Sequence, residues 1–165
     1  MSTLYVMVGL SGTGKSTAAD IIREKTNGTI HRTDSIRKEI VNGEPTYSRS
    51  ESQRVYDALF SRAADDLSNG SDVVLDATFS LKMGRENAED VANQTNSQIR
   101  FVHITSQDQI IRERLRNRTN TDSDADISVY EKQQDSFEPL EREHTTIDNS
   151  SDLQTLEHKI EQDVV

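Results

Sequence analysis

Gly9-Leu10-Ser11-Gly12-Thr13-Gly14-Lys15-Ser16 satisfies the pattern G-x-x-x-x-G-K-[ST] at every required position. The chemistry such a spacing can do is the capture of a polyphosphate. Glycines let backbone amides approach phosphate oxygens closely, and a helix opening at the loop's end adds its positive dipole. Lys15 is placed to reach the two terminal phosphates and to act in catalysis, and the Ser16 hydroxyl to ligate Mg²⁺. Gly9, Ser11, Gly12, Thr13, Gly14, Lys15, Ser16 and Thr17 are therefore assigned to nucleotide binding, with ATP and Mg²⁺ as the expected cofactors. From average composition the pattern arises by chance in about one sequence of this length in two hundred, so it is informative before any context is added.

A phosphate-binding loop specifies a nucleotide but not a reaction. The chain lacks the Asn-Lys-x-Asp by which GTPases select guanine, and it is short for the extra helical domain of most hexameric ATPases. That leaves kinases of small substrates. Transfer to a hydroxyl needs a carboxylate near the terminal phosphate and cations to hold the acceptor. Asp34, in His31-Arg32-Thr33-Asp34-Ser35-Ile36-Arg37, is the candidate base. Arg37, one helical turn on, is the candidate substrate clamp and hints at an acceptor carrying a negative group. Asp34 also has a purely structural reading, as the N-cap of a helix over Ser35–Val41.

Asp76 ends the apolar run Val73-Val74-Leu75, where a carboxylate can orient the water ligands of Mg²⁺. Thr78 and Arg85 follow as substrate-binding candidates. Arg112, Arg114, Arg116 and Arg118 form two (i, i+4) pairs on nearly opposite faces of one helix. Arg114 and Arg118 are assigned to the phosphates because Ile111 and Leu115 share an apolar stripe beside them. Arg118, nearest the polar segment Asn117–Asp126, is the candidate catalytic arginine. His31, His103, His144 and His158 lie in separate segments without metal-ligand spacing, and no catalysis is assigned to them.

Five strands must position these groups: near Thr3–Val8, Thr29–Arg32, Asp72–Leu75, Gln98–Ile104 and Thr145–Ile147. Each is followed by a helical pattern, the alternation of an α/β fold whose parallel sheet is covered on both faces. The first helix is expected to start within Gly14-Lys15-Ser16 and stop at Asn27-Gly28. Ser50 with Gln53 reads as a capping box ahead of Val55, Leu59, Ala63 and Leu67, and Ser106 with Gln109 repeats the device. Leu153, Leu156, Ile160 and Val164 give the last helix an apolar stripe for the core. Asn117–Asp126 reads as a mobile loop, and Phe137-Glu138-Pro139-Leu140 as either an adenine contact or a helix-ending turn.

At 165 residues the chain is expected to be a single domain, 1–165. It has no cysteine, which excludes thiol chemistry. No apolar run approaches the roughly 20 residues of a membrane span, so a soluble, cytoplasmic protein is expected. Acidic residues exceed basic ones by 29 to 19, which disfavours an extended nucleic-acid surface or anionic lipid. The few lysines and many Asp, Ser, Thr, Asn and Gln resemble a surface adapted to high salt. That reading predicts a higher melting temperature in molar KCl than in dilute buffer, and an equal or lower one would contradict it.

The phosphate loop, Asp34-x-x-Arg37, Asp76-x-Thr78 with Arg85, and the arginines before Thr119–Asp126 together resemble the predicted ATP-dependent kinases related to the kinase domain of phage polynucleotide kinase and, more distantly, to zeta toxins. Ser123-Asp124-Ala125-Asp126, followed by Val129 and Gln133, looks particularly like the small single-domain members, and the likeness spans roughly residues 3–148. The resemblance implies a P-loop NTPase three-layer sandwich with strand order 2-3-1-4-5, Asp34 as acceptor base, Arg37 as substrate clamp and a mobile arginine lid over roughly residues 112–130. The expected function is transfer of the γ-phosphoryl group of ATP to a hydroxyl on a small molecule, nucleoside or polynucleotide 5′ end. A nucleoside monophosphate kinase and a nucleotide sensor without turnover are the alternatives.

Overall fold

A computed structural model describes residues 1–118 and 123–165, with the backbone only for residues 123–125. Along the chain run β1 (Thr3–Val8), α1 (Lys15–Thr26), β2 (Thr29–Arg32), α2 (Thr33–Ile40), α3 (Arg49–Ser68), β3 (Val73–Asp76), α4 (Lys82–Gln94), β4 (Gln98–Thr105), α5 (Asp108–Arg116), α6 (Ser123–Ser136), β5 (His144–Asp148) and α7 (Leu153–Asp163). The five strands form one parallel sheet in the order β2-β3-β1-β4-β5, the order the resemblance implied. The chain moves to one side of β1 for β2 and β3 and to the other for β4 and β5. Open α/β sheets bind ligands at the carboxyl edge beside such a reversal.

β1 is central and buried along its whole length because its side chains alternate between two cores. Leu4, Val6 and Val8 join the buried stripe of α3, Val55, Leu59, Ala63 and Leu67, with Phe79, Ala88 and Phe101. Tyr5 and Met7 face the other way, onto Ala18, Ile22, Leu156 and Ile160 of α1 and α7. The edge strands β2 and β5 are less buried, as their more polar sequences require. Among the described residues no helix is long and apolar enough to cross a membrane.

The structure corrects several local expectations. The cap of α3 is Ser48, whose Oγ accepts from the Glu51 N–H at 3.2 Å, two residues before the expected Ser50. Ser48-x-x-Glu51 wins because the Glu51 carboxylate also takes the N–H groups of Thr46 and Tyr47. α5 is preceded by Gln107 at its N-cap, because the Ser106 hydroxyl is spent on the carbonyls of Asn149 and Thr13. In α7 Leu156 and Ile160 are buried, as is Val164 just past it, but Leu153 is exposed.

The polar segment Asn117–Asp126 lies in part outside the described residues, at 119–122. Helix begins at Ser123, where a loop was expected. Further along α6, Tyr130 is buried with Ile111 and Leu115 of α5. Its hydroxyl donates to Asp108 at 2.7 Å. Burial and that carboxylate push the Tyr130 hydroxyl up to a pKa of about 12. Phe137–Leu140 follows the end of α6 and packs on the protein itself: Phe137 stacks on His103 with ring centroids 5.5 Å apart, and the Glu138 N–H donates to the Ser80 carbonyl at 2.8 Å.

Candidate active site

The loop after β1 is shaped by two glycines in the left-handed region, Gly12 at φ 83° and Gly14 at φ 86°. A Cβ on Gly14 would sit 2.2 Å from the Asn149 side chain, and one on Gly12 would strike Ile111 at 2.8 Å. Both neighbours hold the loop. Asn149 Nδ2 donates to the Thr13 carbonyl at 2.9 Å, and Leu10 packs with Ile111, Leu115, Tyr130 and Ile127 in a small third core. Gly9 N–H donates to the Thr78 carbonyl at 3.2 Å, fixing the loop's start against the chain beyond β3. Thr78 is thus at the site's edge through its backbone.

α1 opens at Lys15 with Gly14 as N-cap and no side-chain cap bond. Its first amides are left for an anion, with no acidic residue in the first turn to oppose one. Gly9 to Thr17, the residues that the sequence pattern marks, form the loop between β1 and α1 and the first turn of α1.

Asp76, the last residue of β3 and 4% exposed, is the hub of the site. Its Oδ1 lies 3.4 Å from Lys15 Nζ, and its Oδ2 accepts from Ser16 Oγ at 2.8 Å and from Arg32 Nε at 2.9 Å. Arg32 reaches on to Asp20. Sequence reading missed this arginine because only the β2–β3 register, which pairs Arg32 with Asp76, brings the two together. Ser16 and Asp76 are hard oxygen donors side by side, a set that suits Mg²⁺, which is held by one or two protein oxygens plus phosphates and water. Among the described residues no cluster of three or more His, Cys, Asp or Glu could hold a metal ion.

Arg114, assigned from sequence to the phosphates, lies against the loop through contacts with the protein. It donates to the carbonyls of Gly12 and Asn149 at 3.2 and 2.7 Å and to Ser106 Oγ at 3.0 Å. Arg112 points away, to Asp108, Glu131 and the Tyr130 ring. Arg118 is exposed and lies past the Asn117 cap that ends α5, so the helical spacing that paired it with Arg114 does not extend to it. Because Arg114 ties three segments together, Arg114→Ala is expected to cost about 2 kcal/mol, or about 6 °C in melting temperature, as well as nucleotide affinity. An unchanged melting temperature in a thermal scan would contradict its bracing role.

One further contact at the loop was not assigned from sequence: the Gln133 carboxamide oxygen of α6 accepts the Ser11 N–H at 2.8 Å. Gln133 and Asn149 have no sequence signature as loop braces, since each acts across more than 120 residues of chain.

On the acceptor side, Asp34 is exposed in the first turn of α2, at the carboxyl edge of the sheet. It is not the N-cap, since α2 begins at Thr33 and Arg32 holds that position. Arg37 differs from expectation. It is 8% exposed, its Nη1 is bonded to Glu51 Oε2 at 2.7 Å, and its guanidinium lies 4.5 Å from the Tyr47 ring centroid. The amides of Thr46 and Tyr47, together with Arg37, hold the Glu51 carboxyl below its usual range. Burial raises the Tyr56 hydroxyl's pKa.

Arg85 is not brought to the site. It is 0% exposed, and its guanidinium donates to the carbonyls of Phe79, Ser80, Glu138 and Pro139. Burial is the main cause that lowers its pKa. A cation so enclosed braces the turn after α6 and is not directed at substrate.

The sheet order, the cradle between β1 and α1 and the Asp76 hub define a P-loop kinase fold. The chain belongs to a family described as an AAA domain (AAA_33), whose model matches residues 4–140. It is 28% identical over 137 residues to an uncharacterized protein of Mycobacterium tuberculosis, covering 76% of this chain but 28% of that protein. The chain thus spans little more than a quarter of the length of that curated relative. Among solved structures, it is similar to a sugar kinase from a Janibacter species, with a TM-score of 0.75, 16% identity and coverage of 98% of this chain and 94% of that one. It is also similar to the Mycobacterium tuberculosis APS kinase in complex with AMPPNP and APS, with a TM-score of 0.74, 15% identity and coverage of 98% and 96%.

Proposed function

We propose that this chain transfers the γ-phosphoryl group of ATP to a hydroxyl of a small molecule, nucleoside or polynucleotide 5′ end, the last in keeping with the resemblance to phage polynucleotide kinase and zeta toxins. The observation that carries this reading is the Asp76 carboxylate, held by Lys15, Ser16 and Arg32 at the mouth of an uncapped phosphate cradle. Asp34, exposed on the same edge of the sheet, is the group available to the acceptor.

The γ-phosphoryl group lies at the Lys15 end of the cradle, where the ammonium leaves Asp76 and offsets the charge of the terminal phosphates. Ser16 and Asp76 would hold Mg²⁺, which would supply positive charge to offset that of the terminal phosphates. Asp34 accepts the acceptor's hydroxyl proton as the oxygen forms its bond to the γ-phosphorus. The bond from that phosphorus to the bridging oxygen breaks, and ADP leaves with the electron pair. Arg118 adds positive charge to the transferring group from the lid, and Thr78 contributes at the edge of the acceptor site.

The test is incubation with γ-labelled ATP and pools of nucleosides, sugars, antibiotics and oligonucleotide 5′ ends. Label should pass to at least one pool in a Mg²⁺-dependent way. Tight ATP binding with no label in any pool would favour a sensor over an enzyme.

A further inference from the structure

Among the described residues, four other than glycine have a left-handed backbone. Asn27 and Asn96 sit at helix C-termini, where asparagine adopts that conformation readily. The other two are bulky aromatics, Tyr47 at φ 55° and Phe79 at φ 48°. Such residues hold a positive φ only where the surrounding structure enforces it, and they cluster at ligand sites.

Both line one cleft of about 750 Å³ between α3, the segment after β3 and the start of α4, a size typical of small-molecule sites. Its inner wall is aromatic: Tyr56 meets Phe79 edge-on at 5.7 Å, and Phe60 lies 6.2 Å from the same ring. Its rim is apolar and wet. Tyr47 is 66% exposed, and it, Leu81 and Met83 are three of the seven exposed large hydrophobic side chains among the described residues. Solvent-facing apolar atoms therefore concentrate at this cleft.

The charges around it cancel. Arg37, stacked on Tyr47, is neutralised by Glu51 at 2.7 Å, and both are under a tenth exposed. Arg49 and Glu138 on the lining carry opposite signs. Arg37 Nε is buried without a hydrogen-bond partner beside the Tyr47 ring and does not line the cleft. A phosphate or carboxylate on the ligand would find no uncompensated buried cation here.

We propose that this cleft holds the phosphoryl acceptor and selects an uncharged alcohol bearing an aromatic or flat apolar ring over anionic or ring-free alcohols. The acceptor role rests on the phosphotransfer reading above. The preference for the ring rests on the cleft alone.

Saturation-transfer NMR on the full chain, with p-nitrophenyl β-D-glucoside, glucose and gluconate as probes and Mg·AMPPNP present, separates the two. The aryl glucoside should bind about tenfold more tightly than glucose or gluconate, neither of which carries a flat apolar ring, and Tyr47→Gly, at a largely exposed position, should remove about tenfold of that affinity. Equal binding of all three, or a preference for gluconate, would overturn the selectivity. Self-association that disappears in Tyr47→Gly would assign the cleft to a second copy of the chain instead. The same probes are then offered with γ-labelled ATP. Selective binding without transfer to the aryl glucoside, while label passes to another acceptor pool, would overturn the acceptor role and leave the cleft as a ligand site; no label in any pool would instead overturn the phosphotransfer reading.

Discussion

Asp34→Asn is expected to lower kcat for transfer to a hydroxyl by about three orders of magnitude, within the range that a positioned general base contributes. Asparagine keeps the shape of the side chain but cannot take the acceptor's proton. Asp34 is exposed in the first turn of α2 and makes no N-cap bond. Its replacement therefore costs the fold only a modest helix-dipole contribution, on the order of 0.3–1 kcal/mol. Affinity for ATP should stay within about twofold, because the cradle and the Asp76 hub are left intact. The effect also distinguishes acceptor classes. A phosphate acceptor is already ionised and needs no base, so a nucleoside monophosphate kinase would tolerate Asp34→Asn. Steady-state kinetics on one hydroxyl acceptor, with a thermal melt to verify folding, check the prediction, and a loss below about threefold would contradict Asp34 as the base.

The parts of this fold that sequence discloses are those set by short-range pattern. The apolar stretch Leu4 to Val8 reads as a strand, although sequence made the third and fourth strands look the most buried; β1 proves buried throughout, its alternate residues feeding two cores, while β4 is only partly buried. The Asn27-Gly28 stop of α1 is equally local: the Asn27 and Gly28 N–H groups bond back to Glu24 and Arg23. The phosphate loop is legible for the same reason, since eight consecutive residues carry its geometry.

What stays hidden depends on partners distant in the chain. Arg32 joins the site through sheet register, Asn149 through the close approach of the segment after β5, and Gln133 through the docking of α6. The misassignments have the same origin. Arg37 and Arg85 look like substrate cations because arginine usually serves at surfaces, yet each is buried by contacts that its neighbours in sequence do not announce: Glu51 and Tyr47 for the first, four backbone carbonyls for the second. Ser106 was read as a cap because its local spacing fits one, and the cradle takes its hydroxyl instead.

The central claim is that the amides from Gly12 to Ser16 and the Lys15 ammonium grip the terminal phosphates of ATP. That ammonium lies 3.4 Å from Asp76 Oδ1. Lys15→Ala leaves Asp76 bonded to Ser16 and Arg32, so the β3 end keeps two of its three partners and the fold should persist. Phosphoryl transfer would lose the cation nearest the charge that shifts in the transition state, worth about two to three orders of magnitude in kcat. Affinity should fall as well, by about tenfold, since the same charge contacts the ground-state nucleotide. Lys15→Met, which keeps most of the apolar stem, should behave alike and so rules out a packing effect. The decisive measurement is calorimetric titration of Mg·ATP into parent and Lys15→Ala, paired with single-turnover transfer. Weaker binding with transfer slowed at least a hundredfold is the predicted result, and a variant that binds as tightly and transfers as fast as its parent would contradict the account.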